Sequence, residues 1–577
     1  MTRLRRLLPV LALAAGLLPL SLPAHAATAD LAFASEYATP AFPQWRSSTP
    51  PELFASATTG DIDGDGQPDV VAGYQNGHLY AWHAGGARFL DLATPESASV
   101  RSTPVLVDLN HDGVLDVLAS NNAGYVFGYD GHGHRLFQVR TPVYNGLQAV
   151  FSAPVAADVT GDGVLEILAT GWDHHLWAWD LAGHVKAGFP VFMADTIWSS
   201  PAIADLDGDG KRDIVFGYDC AGGSGSRCAG MSSTGGGFVT AINGSGKPLP
   251  GWPRFVAGQT VWSSPALADV NGDGRLDVVV GTGLFNPSPA GSFVNAFDSQ
   301  GRPLAGFPVR TRSRVIASPS VGDVNGDGRA EISAMDEKNY LYLWDGTGHL
   351  LPGWPLCGTN NGTCNSVAHA STVMADVTGD GVADVVAAGQ TTVRAFDRAG
   401  HVLVAAKSPL GIAGTSAAPT VTEIGGHASV LLNTVHRQSD GTVNGTVVRF
   451  SAGGPLGPAP WPMFRQNARG TSHVDDLAPP STTTMSATAL SSTTVQVSMT
   501  ATDEGSGVAV FDVYYRDNGG PLVHWLPGTA PTSRSGTSAT HTRNMTTKAG
   551  HSYRYQSRAR DRDGNWGHWG VVSVTTP

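Results

Sequence analysis

Asp61-Ile62-Asp63-Gly64-Asp65-Gly66-Gln67-Pro68-Asp69 places carboxylates at positions 1, 3, 5 and 9 of a nine-residue stretch, with glycine at positions 4 and 6. Six more stretches of the form D-x-[DNT]-x-D-G-x-x-[DE] follow, starting at Asp108, Asp158, Asp205, Asp269, Asp323 and Asp376. Oxygens on alternate residues of a curled backbone suit a hard cation. Calcium takes roughly six to eight oxygens at about 2.3–2.6 Å, and glycine tolerates the positive φ that such a curl requires. Asp-Gly hairpin turns alone are a poor explanation for seven copies of one pattern. A helical calcium hand would need a loop of about 12 residues closed by glutamate between helices. Here the loops run into apolar, β-branched segments such as Asp277-Val278-Val279-Val280-Gly281, so strands are expected instead.

The expected ligands are Asp61, Asp63, Asp65 and Asp69 in the first loop and Asp108, Asn110, Asp112 and Asp116 in the second. Asp158, Thr160, Asp162 and Glu166 form the third set, and Asp205, Asp207, Asp209 and Asp213 the fourth. Asp269, Asn271, Asp273 and Asp277 make the fifth, Asp323, Asn325, Asp327 and Glu331 the sixth, and Asp376, Thr378, Asp380 and Asp384 the seventh. The position-7 carbonyl, Gln67 in the first loop, would add one more oxygen. Up to seven structural calcium ions are therefore expected. The loops at Asp61 and Asp205, with four carboxylates each, should bind most tightly.

A wider frame repeats with the loop. Trp198-Ser199-Ser200-Pro201-Ala202-Ile203-Ala204 precedes Asp205, and Trp262-Ser263-Ser264-Pro265-Ala266-Leu267-Ala268 precedes Asp269. An apolar strand, an alternating strand and a G-[FW]-P element (Phe189-Pro190, Trp252-Pro253, Phe307-Pro308, Trp354-Pro355) come after. Loop starts lie 47 to 64 residues apart, a spacing that fits four-stranded propeller blades. An eighth unit follows without its metal: Pro419 precedes Glu423 as Pro265 precedes Asp269, but the loop reads Glu423-Ile424-Gly425-Gly426-His427. The expectation is an all-β fold, an eight-bladed β-propeller over residues 40–470 with the last blade degenerate. Seven blades is the alternative, because closure can borrow a strand from a terminus, and Ala41-Phe42-Pro43 is the candidate.

These loops and frames resemble the secreted FG-GAP and VCBS-type propeller repeats, also found in the head of integrin α subunits. The resemblance implies a calcium-carrying β-propeller. It does not imply one activity, because propellers host many functions.

Arg3, Arg5 and Arg6 precede an apolar stretch over residues 7–22 and an Ala24-His25-Ala26 site. Residues 1–26 read as a secretory signal peptide cut after Ala26, and the chain as secreted. Prolines interrupt this stretch, which is short for a membrane span, and no later segment is apolar enough to be one. Cys220 with Cys228 and Cys357 with Cys364 read as two disulfide staples. The net charge of −12 is largely ligand charge, which bound calcium would offset. With a pI near 5.8 and no basic stripe, nucleic-acid binding is not expected.

Residues 471–482 read as a Pro/Thr-rich linker. Alternating strands over 483–577 suggest a β-sandwich. Tyr553-Arg554-Tyr555-Gln556-Ser557-Arg558-Ala559-Arg560 resembles the late strand of fibronectin type III modules. Trp566 and Trp569 could stack on sugars, although core packing is the commoner use. Gly414-Thr415-Ser416 looks like a protease nucleophile segment, but Pro419 fits the repeat, so a strand is the better reading. His174-His175 reads as a solvated turn. Trp461-Pro462-Met463-Phe464-Arg465-Gln466-Asn467 is similar to segments of quinone-cofactor propellers, without those enzymes' cofactor contacts, and reads as a way of docking blades.

The functional expectation is a calcium-binding adhesion or binding protein for an extracellular glycan or a cell-surface protein, acting as a monomer. Glycan is favoured by analogy with the family. The alternatives are a polysaccharide lyase or hydrolase built on the propeller, and a protein-interaction scaffold. No catalytic residue is assigned.

Overall fold

The computed structural model describes most of the chain from Ala55 to Pro577 together with short strands within residues 31–46. It does not describe 1–30, 39–44, 47–54, 221–234, 284–290, 358–363, 365–369, 408–416, 438–441, 468–470, 473–480, 503–507 or 562–568, nor positions 33, 111, 328, 390, 391, 453, 482, 536 and 537. The expected signal peptide, Cys228, Ser416 and Trp566 thus lie outside the described residues. Among the described residues the structure is all-β, apart from a single 3-10 turn at Pro95–Ser97.

Each repeat makes one antiparallel sheet. In the fourth unit the strands are Ala202–Ala204, Asp213–Cys220, Gly236–Ile242 and Arg254–Ala257, paired in chain order. The acidic loop joins the first strand to the second, as the sequence requires. Eight such sheets run from Thr58 to Ser451 among the described residues. First strands of successive units are neighbours, and Thr420–Ile424 of the last returns beside Thr58–Gly60 of the first. The eighth unit has only three strands of its own, and Ala34–Ala38 supplies the outer one by pairing with Thr442–Ser451. Leu31–Ala32 adds a parallel fifth strand to the seventh. The strand borrowed at closure is therefore Ala34–Ala38, while 41–43 lies outside the described residues.

Why the repeats need one another is visible in their burial. Second strands such as Asp69–Gly73 and Asp384–Ala388 are buried along their whole length, so both faces must be covered. The buried clusters each join neighbouring units. Val215, Val239 and Trp252 of the fourth pack with Val278, Val280 and Phe297 of the fifth. Tyr80 and Trp82 of the first pack with Leu431 and Val447 of the eighth. At about 25 cal/mol per Å2 of apolar surface removed from water, such shared clusters, rather than any single sheet, hold the assembly.

The G-[FW]-P elements dock one unit on the next. Trp252 Nε1 donates to the Ser299 carbonyl at 3.0 Å, and Trp354 Nε1 to the Arg398 carbonyl at 2.8 Å. The glycine is required by this contact: Gly306 has φ +88, and a Cβ there would sit 1.8 Å from the Thr347 carbonyl oxygen.

Strand order also sorts the loops by face. The acidic loops and the third-to-fourth-strand turns share one face. The second-to-third-strand connections and the links between units share the other. Cys357 and Cys364 form a disulfide on that second face. Cys220 is disulfide-bonded too.

Residues 484–575 form two further four-stranded antiparallel sheets with one buried cluster that includes Val495, Val497, Phe511, Val513 and Tyr555. Burial alternates along Thr494–Thr502, as the period of two along a strand dictates.

Candidate metal centres and a central cup

The acidic loops share one internal wiring. In the first, the Asp61 carboxylate accepts from the N–H groups of Gly64 at 2.7 Å and Gly66 at 2.9 Å. Asp65 accepts from Gln67 at 2.7 Å, and Asp69 from Ile62 at 3.1 Å. The fourth repeats this through Asp205, Asp209 and Asp213, and the fifth through Asp269, Asp273 and Asp277. The backbone thus curls around the position-1 carboxylate, and Gly64 and Gly66 take up φ +82 and +81 to allow it.

The carboxylate oxygens of Asp61, Asp63 and Asp65 lie within 4.8 Å of one another, as do those of Asp158, Asp162 and Glu166, and those of Asp205, Asp207 and Asp213. Two of these three clusters belong to the loops with four carboxylates. The loops at Asp108, Asp269, Asp323 and Asp376 keep the curl but form no such triplet among the described residues.

Position 9 begins the buried second strand. Burial pushes Asp69 and Asp116 up to about 6, and Asp213, Asp277, Glu331 and Asp384 up to about 7. Neighbouring carboxylates of the same loop push in the same direction. An all-oxygen donor set with a strained inner carboxylate fits calcium: the cation would hold that group ionised and cancel the repulsion.

Two loops already hold a basic side chain. Lys186 Nζ lies 2.8 Å from Glu166 Oε1 and 3.2 Å from Asp162 Oδ2. His83 Nδ1 lies 3.2 Å from Asp63 Oδ2 and 3.3 Å from Asp69 Oδ1. Neither residue belongs to its loop; each arrives from a later strand or turn of its unit, which is why sequence reasoning missed it.

The second site lies on the axis of the ring. Five residues before each loop, and two ahead of its first strand, stands a collar residue, and these link around the circle. The backbone N–H of Ser56 donates to Thr103 Oγ1 at 3.0 Å and that of Ala153 to Ser200 Oγ at 2.9 Å. Ser200 donates to Ser264 at 3.0 Å, Ser264 to Ser318 at 3.0 Å, and Ser318 to Ser371 at 2.8 Å. Ala418 donates to Ser56 Oγ at 2.9 Å and closes the circle. Two links lack a hydroxyl because Ala153 and Ala418 stand at the collar position. Ala418 occupying this position supports the strand reading of the segment around Pro419.

One end of this channel is sealed. Trp461 pairs with Met374, and the Pro462 carbonyl accepts from the Val421 N–H at 2.7 Å. The chain then crosses to the far side, where the carbonyls of Thr471 and Ser472 accept from Ile203 at 2.8 Å and Leu267 at 2.9 Å. Between them Arg465, 1% exposed, points its guanidinium at the carbonyls of Ala153 and Pro201. The segment thus satisfies inner-edge N–H groups that would otherwise be unpaired. Phe464 forms part of the floor.

What remains is a cup of about 320 Å3 opening on the face opposite the acidic loops. Its rim breaks the repeat symmetry. Phe151 and Trp198 stack at 5.2 Å and 26°, and Trp198 meets Trp262 at 5.2 Å. Arg101 caps one end of this arc over Phe151, at 5.2 Å, and Arg314 the other over Trp262, at 5.5 Å. Glu337 pairs with Arg314. Trp262 Nε1 donates at 2.8 Å to Asp219, which burial raises to about 8. Sequence reasoning quoted Trp198 and Trp262 as part of the repeating frame. The missed signal was that this one frame position is large and variable, Phe, Trp, Trp then Ile316, among invariably small neighbours.

Of His174-His175, His174 stands in a turn at φ 67, but not a solvated one, and His175 begins the strand His175–Trp179. His174 is 1% exposed and lies 5.0 Å from the Tyr144 ring. Trp569 of the C-terminal sheets is 40% exposed, edge-on to Tyr514 and under Arg558.

An FG-GAP-like repeat model matches residues 61–119, 108–169, 158–216 and 323–387, and an FG-GAP repeat model matches 261–295. The chain carries FG-GAP repeats. Four of those matches begin on the first aspartate of an acidic loop. No curated protein matches the chain. Among solved structures it is similar to the V. cholerae biofilm matrix protein Bap1, at 14% identity over 74% of this chain and 95% of that one, TM-score 0.48. It is also similar to the Dos1 propeller, at 11% identity over 74% and 96%, TM-score 0.39.

Proposed function

We propose that this chain is an exported, calcium-stabilised, eight-bladed FG-GAP propeller followed by a fibronectin-like β-sandwich, and that it works as a binding or adhesion protein for extracellular glycans. The observation that carries the binding role is the cup. Eight near-identical units have no reason to differ at their rim, yet three in succession place Phe151, Trp198 and Trp262 side by side. Each is only half-buried, so an aromatic face remains for a ligand. Ring faces carry partial negative charge and attract the polarised C–H groups of a sugar. A concave, mostly apolar site with few polar groups is the usual form of a small-ligand pocket.

Calcium is assigned a structural part. The loops lie on the face away from the cup, and the turns of one unit pack on the loop of the unit before it. A Cβ at Gly131 would meet the Ile62 carbonyl oxygen, and one at Gly346 that of Val270, each at 1.7 Å. Metal in the loops would therefore stiffen contacts between units. Glycan-array binding of the purified chain tests the reading. Binding in calcium that is lost in Trp198→Ala supports it, and an array with no binding at all contradicts it.

A further inference from the structure

His83 follows directly on the third strand of the first unit, His78–Trp82. In the next six units the residue at that place is Asp130, Asp180, Asn243, Asp298, Asp345 or Asp397. Each of those six side chains accepts the backbone N–H four residues on and so closes its own turn. The His83 Nδ1 instead faces the acidic loop of its own unit, 3.2 Å from Asp63 Oδ2 and 3.3 Å from Asp69 Oδ1. Of the four triplets of close ligand atoms among the described residues, this is the one that includes a nitrogen.

The three side chains are held in place by other contacts. Asp63 Oδ1 accepts the Asp65 N–H at 3.1 Å, and Asp69 Oδ2 accepts the Ile62 N–H at 3.1 Å. The second oxygen of each carboxylate is the one beside His83. The imidazole stacks on Phe89 at 4.4 Å and 18°. Supporting bonds of this kind orient the ligands of metal sites. A plain ion pair explains the spacing poorly. One imidazole N–H cannot serve two carboxylates at once, and charge-assisted bonds run at about 2.7–2.9 Å. Ligand bonds of about 2.0–2.2 Å at a tetrahedral centre set neighbouring ligand atoms roughly 3.3–3.6 Å apart, close to the separations here. The nitrogen also selects the ion: calcium takes oxygens, whereas imidazole suits zinc and its transition-metal neighbours. The His83 side chain is 41% exposed, so an ion and a water can reach it.

We infer that the first unit carries a zinc-class metal site, with His83 Nδ1, Asp63 Oδ2 and Asp69 Oδ1 as protein ligands and water in the fourth position. The ion ties the turn after the third strand to the loop between the first two strands. It does so in the unit where the ring closes, since Val70, next to Asp69, packs in one cluster with Leu431 and Val447 of the eighth. The inference is independent of the glycan-binding reading.

The test titrates zinc chloride into the chelator-stripped mature chain in excess calcium, followed by calorimetry. One zinc ion per chain is expected to bind tightly and to resist displacement by calcium. Cobalt in place of zinc should give the visible absorption of a tetrahedral site. His83→Asn should weaken the zinc at least a hundredfold and abolish the cobalt band. It should melt in calcium as wild type does, because Asn243 already stands at that place in the fourth unit. His83→Asp, carrying the commoner residue of that place, is the second variant and should likewise lose the zinc. Absence of zinc uptake in excess calcium overturns the inference. So does uptake of zinc and cobalt by both variants as strong as in wild type, since the ion then sits elsewhere. Either result leaves the calcium account of the other loops standing.

Discussion

Replacing Arg465 by methionine should loosen the whole ring. The side chain is 1% exposed, and its guanidinium bonds to the carbonyls of Ala153 and Pro201 in the third and fourth units and to Ser472 Oγ at 3.0 Å. Methionine keeps much of the volume but donates nothing. It leaves two buried carbonyls and one hydroxyl without their partner, at about 1–3 kcal/mol for each unsatisfied group. Relief from burying a charge offsets part of this. The expected net loss is on the order of 3–5 kcal/mol. For a unit of some four hundred residues that lowers the melting temperature by roughly 3–6 °C. The measurement is thermal unfolding by circular dichroism in saturating calcium, with Arg465→Lys as a second variant. Lysine can reach only one carbonyl well, so it should fall between wild type and methionine. A methionine variant melting within a degree of wild type would refute the view that residues 461–472 clamp opposite sides of the ring.

Lys186→Met should let the third loop take a calcium ion that wild type excludes, since the ammonium stands on Asp162 and Glu166. Native mass spectrometry or calorimetry should count one more ion in the variant, and an unchanged count would show that the lysine yields to the metal. Asp219 is raised to about 8, first by burial. An acid held up in this way binds its proton more tightly folded than unfolded, so its contribution is full below pH 4 and is lost as pH rises through about 8. Between pH 5 and 8 wild type should lose on the order of 3–4 kcal/mol more stability than Asp219→Asn, at about 1.4 kcal/mol per pH unit. Parallel denaturant-midpoint curves for the two proteins would contradict this.

The acidic loops and their spacing were legible because each is a local object. Nine residues carry their own ligands, glycines and following strand, and the repetition multiplies the signal. The same locality explains the misses. Lys186 and His83 enter a loop from elsewhere in the unit, and no spacing rule connects them to it. The strand borrowed at closure, Ala34–Ala38, meets Thr442–Ser451 across some four hundred residues of chain. Only the backbone pairing identifies it. The cup is assembled from one residue per unit, so Phe151, Trp198 and Trp262 appeared as frame residues until the ring brought them side by side. His174 was misread for a related reason: its turn is polar in sequence but is covered by Tyr144 and Phe192.

The central claim is that calcium in the acidic loops fastens neighbouring units together. Calorimetric titration of the chelator-stripped mature chain, paired with its melting temperature before and after calcium is restored, tests it most directly. The account predicts uptake of several ions per chain and a reversible rise in melting temperature, since each occupied site adds about 2.7 kcal/mol at a hundredfold excess over its dissociation constant. No heat of uptake, together with a melting temperature indifferent to the chelator, would contradict it.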